Sequence, residues 1–538
     1  MLPPIAVLLA AGPLITITPS QDETLVATFA LQESTQAYHF APNDTPQRAD
    51  AWAPMGEGWT FDGETVVRAD GKAFDTFRLR IAPDPRAHDR RYVVSSPIGD
   101  GWSIYLAAFG GKDEPVQIRF EGFGDDAVLR LPRHGGGVHA VVTTDSDDRR
   151  VAYVGPSGLV RPGDMTLVAG PELPEWVADA LVEDAGRVAR VLEDRLGAPA
   201  LHPPTILASY PPRGDALSLK GGTFEGATLR LVMKSNLDER DEDRATQLAA
   251  FAAHETVHIW LNEVWDTAEN AEQPWLHEGV AEYLADRLSL DRVTFQAEAA
   301  RHVTDCLANL GNRPLDGSDG AVYGAVPYDC GFTLQLAAEI ASLRRDGDDA
   351  LDLWRAVVES AQAHQYDSAM FLKEATERGG RDFTSVADAL LAASGDGKAE
   401  AVADALEAVD LTVSWAEAGS EDGPAVGREA MAALQRAHCG GNISFYSESD
   451  GYRFALPDLC EPGFLHDAYV VGVQGISFAA DGVAAYNAMK NVCDERGELV
   501  LIVKDETRLE PFRCEALLPP ARGAALLARL PELPDLDR

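Results

Sequence analysis

The stretch His254-Glu255-Thr256-Val257-His258 lies inside a helical run, Gln247–Val264, and its reading governs the rest of the chain. On a helix, residues four apart share a face, so both imidazoles point at one spot and are spaced to hold a metal ion. The glutamate between them sits about 100° round the helix, where it reaches a water on that ion rather than the ion itself. In the usual reading of His-Glu-x-x-His the ion is zinc, which lowers the pKa of its water to about 7 while the glutamate takes the proton. With 12 histidines among 538 residues, five positions alone are a weak signal, and their neighbours have to agree.

Downstream of His258, Pro274-Trp275-Leu276-His277-Glu278-Gly279-Val280-Ala281-Glu282-Tyr283 opens a second helix. Trp-Leu-x-Glu-Gly followed by a small residue and an aromatic resembles the third-ligand motif of the gluzincin aminopeptidases, the family of aminopeptidase N and leukotriene hydrolase. The resemblance implies that Glu278 is the third zinc ligand beside His254 and His258, with one zinc per chain. The gap from His258 to Glu278 is one residue longer than the family's usual spacing, and the turn 266–273 can absorb the insertion. His277 stands at the usual count and is the competing ligand. Glu282, one helical turn on, is placed either to hold a ligand histidine or to be a solvated helix carboxylate.

Two further segments match in the family's order. Gly221-Gly222-Thr223-Phe224-Glu225-Gly226-Ala227-Thr228-Leu229 resembles the Gly-x-Met-Glu-Asn strand, whose glutamate binds the free α-amine of a substrate; here that role falls to Glu225. Phe224 and Gly226 replace the usual Met and Asn. Tyr323-Gly324-Ala325-Val326-Pro327-Tyr328-Asp329-Cys330-Gly331-Phe332 resembles the segment that supplies the family's transition-state tyrosine. Tyr328 is the first candidate for that phenol, which donates to the developing oxyanion. Tyr323 is the second candidate and is assigned to substrate binding. Cys330 stands where the family has Lys, and in an oxidising compartment its partner would be Cys306.

The expected fold is multidomain α+β. Short β-rich runs at Thr24–Leu31, Thr76–Ala82, Trp102–Phe109, Val116–Phe123 and Val138–Thr144 read as a β-sandwich-like N-terminal domain over 21–165. Glu175–Leu196 carries a strong amphipathic pattern ended by Gly197 and Pro199. By resemblance, 166–300 is a thermolysin-like zinc peptidase core. A helical region over 301–437 carries the catalytic tyrosine, and 438–538 is a small cysteine-containing α+β module. The glycyl aminopeptidase family is a near neighbour with a PDZ-like C-terminal module, which makes the end piece a candidate PDZ-like domain.

Forty-six Lys+Arg against 86 Asp+Glu leave a net charge of −40, which disfavours nucleic acid and anionic membrane faces as partners. The opening Met1-Leu2-Pro3-Pro4-Ile5-Ala6-Val7-Leu8-Leu9-Ala10 makes 1–20 signal-like, although it lacks a basic n-region. No segment is long and apolar enough to suggest a stable membrane span. Six cysteines without a Cys-x-x-Cys pair argue against zinc-ribbon and thioredoxin sites, and four of them cluster near the C-terminus. The shortest loops would pair Cys439 with Cys460 and Cys493 with Cys514. A periplasmic or secreted location follows, with a cytoplasmic one as the alternative. There is no nucleophile elbow and no P-loop.

The expected activity is zinc-dependent hydrolysis of peptide bonds, with Glu255 as general base and a peptide bearing a free N-terminus as substrate. Two alternatives stay open: an endopeptidase of the same zinc chemistry, and a non-catalytic peptide-binding scaffold built on a peptidase fold.

Overall fold

The computed structural model describes residues 12–20, 22–42, 48–83, 95–112, 114–131, 137–163, 165–196, 204–210, 218–234, 237, 239–261, 266–267, 273–310, 314–315, 326–361, 365–394, 397–415, 431, 434, 438, 445–448, 451–454, 468–504, 511–514 and 525–536. The chain divides into two units, Met1–Trp265 and Asp266–Arg538.

In the first unit, alternation of apolar and polar residues makes strands. Along Phe77–Ile81 it buries Phe77, Leu79 and Ile81 and exposes the residues between them, and Phe74, also buried, precedes them across a break in register. That strand lies in a six-stranded sheet ordered Val142–Thr144, Val116–Phe120, Leu14–Pro19, Leu25–Thr35, Phe74–Ile81, Trp52–Pro54. The short helix α1 (Arg48–Ala51) enters the last of these strands. A four-stranded sheet (Ala127–Arg130, Val151–Pro156, Gly101–Tyr105, Ser95–Ile98) and a three-stranded one (Ala37–His39, Thr65–Arg68, Trp59–Phe61) share its core. The expected strand Trp102–Phe109 ends early: Leu106–Phe109 is a fully buried 3-10 turn. A run buried on every side carries no period that separates strand from helix.

A fourth sheet, of five strands, follows, ordered Val160–Arg161, Thr166–Ala169, Thr205–Ser209, Thr228–Lys234, Ser218–Phe224. Its central three strands are parallel and Ser218–Phe224 is an antiparallel edge. Helices α2 (Glu175–Leu196) and α3 (Glu242–Ile259) pack together, and α3 lies along the edge strand. α2 has the bounds its sequence pattern predicts. α3 begins inside the charged run Glu239-Arg240-Asp241-Glu242-Asp243-Arg244, because the Asp241 carboxylate caps the helix by accepting from the Arg244 amide.

Among its described residues up to 407 the second unit is mostly helical, with α4 (Pro274–Ser289), α5 (Arg292–Leu310), α6 (Val326–Arg345), α7 (Ala350–Ser360), α8 (Ser368–Leu391) and α9 (Lys398–Glu407), and the short strands Asp266–Thr267 and Gln365–Tyr366 pair with each other. α6 packs against α4, α5 and α8 and is buried almost all round from Val326 to Ser342. That explains its lack of a clear amphipathic stripe. α4 and α6 touch at glycines, where a methyl group on Gly279 or Gly331 would collide with the other helix's backbone. Below that contact, Glu339 receives bonds from Tyr283 and Arg287.

The C-terminal part has its own core, formed where α10 (Phe478–Arg496) packs on a sheet that includes Phe445–Glu448, Gly451–Phe454 and Tyr469–Val473. Disulfides join Cys306 to Cys330 and Cys493 to Cys514. Cys439 and Cys460 lie outside the described residues. Among the described residues, no helix is long and apolar enough to cross a membrane.

Candidate metal centre

α3 buries its apolar face in the first unit, with Ala252, Ala253 and Val257 nearly inaccessible, and this fixes the azimuth of the polar residues between them. His254 and His258 are 9% and 6% exposed, and their Nε2 atoms lie 3.0 Å apart. Two nitrogens bound tetrahedrally to one zinc at about 2.0–2.1 Å would be roughly 3.3 Å apart. The pair therefore has the donor chemistry and nearly the spacing that a zinc ion needs.

Glu255 is buried beside them, and the edge strand holds it. The Thr223 hydroxyl lies 3.0 Å from the Glu255 carbonyl oxygen and 3.3 Å from its carboxylate Oε2, so it can donate to either. Thr223 sits inside a motif that sequence reading singles out, yet nothing in the sequence joins it to Glu255. Only the packing of strand on helix does.

Glu225 is the first residue of the turn that links Ser218–Phe224 to Thr228–Lys234, one step beyond the strand where the resemblance puts it. It is half-buried, and its charge acts on Arg150. Gly226 follows at φ +86°, the left-handed region that Gly and Asn tolerate best, so glycine in place of the family's Asn preserves the turn.

In the second unit, α4 opens with Pro274 at its first position and carries Glu278 on its second turn, half-buried. His277 is buried, with Nδ1 3.4 Å from the Tyr366 hydroxyl in the strand Gln365–Tyr366. Tyr328 is half-buried on the first turn of α6, and Tyr323 lies outside the described residues. Glu282, one of whose expected roles was to hold a ligand histidine, has Oε1 3.5 Å from Nε2 of His302 on α5.

His302 belongs to a cluster that the sequence motifs do not single out. It is 1% exposed, with Nδ1 2.8 Å from Asp329 Oδ1 and Nε2 3.7 Å from Asp286 Oδ2. Burial lowers its pKa, but the neighbouring carboxylates of Asp286 and Asp329 outweigh that and raise it to about 9. Burial pushes both of those carboxyls up as well. The available signal was spacing: His302 lies one helical turn before Cys306, and Cys306 bonds to the residue after Asp329.

No family model matches the sequence, and no curated protein matches it. Among solved structures, an aminopeptidase N family protein from Idiomarina loihiensis superposes with a TM-score of 0.52 at 10% identity, over 96% of this chain and 98% of that one. The fold is that of an aminopeptidase N family protein. An M1 zinc metallopeptidase from Deinococcus radiodurans matches at 18% identity and a TM-score of 0.38, over 69% of this chain and 91% of its own. Legionella pneumophila aminopeptidase A, solved in complex with aspartic acid, matches at 11% identity and a TM-score of 0.41, over 72% of this chain and 49% of its own.

Proposed function

We propose that the chain is a zinc-dependent metallopeptidase that removes residues from the N-terminus of peptides. The observation that carries this reading is the buried His254–His258 pair, Nε2 to Nε2 at 3.0 Å, with the Glu255 carboxylate within reach of the Thr223 hydroxyl beside it. His254, His258 and Glu278 are the proposed ligands of one zinc. Glu278 is preferred to His277 on the surrounding Trp-Leu-x-Glu-Gly motif.

Zinc at these residues would supply Lewis-acid polarisation of the scissile carbonyl and acidify a water. Glu255 accepts the proton of the attacking water and delivers it to the leaving amine. Tyr328 donates its phenolic proton to the tetrahedral oxyanion, and Tyr323 is assigned to the substrate-binding side. Glu225 pairs with the ammonium of the substrate's first residue, which is what confines cleavage to free N-termini.

The proposed layout places a β-rich domain at 21–165, a thermolysin-like core at 166–300, a helical domain at 301–437 and a PDZ-like module at 438–538. A signal-like segment at 1–20 and the two disulfides favour a periplasmic or secreted setting.

The test compares a peptide with its N-acetylated form. Cleavage of the free peptide alone, with the preference lost in Glu225→Gln, is the expected result. Equal cleavage of both forms by the unaltered protein would make it an endopeptidase.

A further inference from the structure

We propose that His302 is the positioning residue for Tyr328, an inference that rests on the role given to Tyr328 above. A phenol that stabilises an oxyanion must be held in place before the charge develops, because a donor misplaced by about 1 Å forfeits much of its effect. Tyr328 stands on the first turn of α6, and what fixes that turn fixes the phenol.

α5 grips that turn at two consecutive residues. The buried His302 Nδ1 lies 2.8 Å from Asp329 Oδ1, and since a carboxylate can only accept, Nδ1 carries the proton. Cys306, one turn further along α5, is bonded to Cys330. The imidazole also stacks on Phe332 of α6, ring centroids 4.1 Å apart. On its other edge Nε2 approaches Glu282 at 3.5 Å and Asp286 at 3.7 Å, one and two turns along α4 from Glu278. One ring thus ties the turn that carries the proposed tyrosine to the helix that carries the proposed third ligand.

Asp286, Glu298 and His302 are also close enough together to hold an ion. Arg301 already brings positive charge there: its Nε lies 2.6 Å from Glu298 Oε2, and its Nη2 lies 2.9 Å from His302 Nε2. With that charge already in place, the cluster is read as a clamp between helices.

The experiment is a double-mutant cycle on hydrolysis of an aminoacyl p-nitroanilide, with zinc measured in every variant. His302→Ala is expected to lower kcat about tenfold, leaving KM within about twofold and the zinc content unchanged. His302→Asn, which keeps a donor near the Nδ1 position, is expected to restore most of the rate. In a Tyr328→Phe background, His302→Ala is expected to cost nothing further. An undiminished loss in that background, or zinc lost together with activity, would overturn the proposal. A second readout does not depend on turnover: amide exchange over 328–331 is expected to quicken about tenfold in His302→Ala. Unchanged exchange would also overturn it. If the unaltered protein holds zinc but cleaves no peptide, the peptidase reading fails, and the exchange result still decides whether His302 fixes this turn.

Discussion

At Thr223 a hydroxyl on the edge strand lies within hydrogen-bond reach of both the backbone and the carboxylate of Glu255, a side chain whose proposed work is moving a proton. A hydroxyl shared between a carbonyl oxygen at 3.0 Å and a carboxylate oxygen at 3.3 Å contributes about 1 kcal/mol. Thr223→Val preserves shape and removes the donor, so kcat/KM should fall roughly fivefold at unchanged zinc content, measured by steady-state hydrolysis. An unaltered rate would mean that the hydroxyl serves only the backbone carbonyl. His254, Glu255 and His258 were legible in the sequence because helical periodicity alone places the two imidazoles on one face and the carboxylate about 100° round from them. Thr223 and His302 were not, since their partners lie 32 and 27 positions away and only tertiary packing brings them together.

Between elements, the contact of α4 with α6 turns on two glycines, each embedded in a segment first noticed for other reasons. Gly279 follows the proposed ligand Glu278, and Gly331 follows Cys330; with no Cβ on either, the two backbones meet. Chemistry and close packing thus share the same short motifs. Gly331→Ala should force the helices apart and destabilise the second unit by about 1–3 kcal/mol, read as a lower midpoint in urea unfolding. A midpoint equal to that of the unaltered protein would show that the crossing can relax. Helix ends were readable where the chain punctuates them, as Gly197 and Pro199 do after α2. The start of α3 was not, because Asp241 is one of several acidic residues in a row and only the folded contact with the Arg244 amide distinguishes it as the cap. The strand expected at Leu106–Phe109 failed for the opposite reason: burial on all sides erases the pattern.

For the whole molecule, the net charge of −40 first served only to exclude anionic partners. Within the proposed function it acquires a second meaning, since a negative field favours approach of a cationic N-terminus. Three of the 86 acidic residues then have separate tasks: Glu225 in amine recognition, Glu255 in proton transfer and Glu278 in metal ligation. The mixed α+β class was legible because alternating and helical periods occupy different stretches of the chain. Of the disulfides, Cys493–Cys514 is the bond the shortest loops would make and Cys306–Cys330 the one expected in an oxidising compartment, although spacing alone does not set connectivity. The most direct measurement is metal analysis of the purified protein and of Glu255→Gln, coupled to hydrolysis of a free-N-terminus peptide. Expected are about one zinc per chain in both, with turnover in the unaltered protein alone. A Glu255→Gln variant that still cleaves the peptide, or an unaltered protein that cleaves it without zinc, would contradict the mechanism.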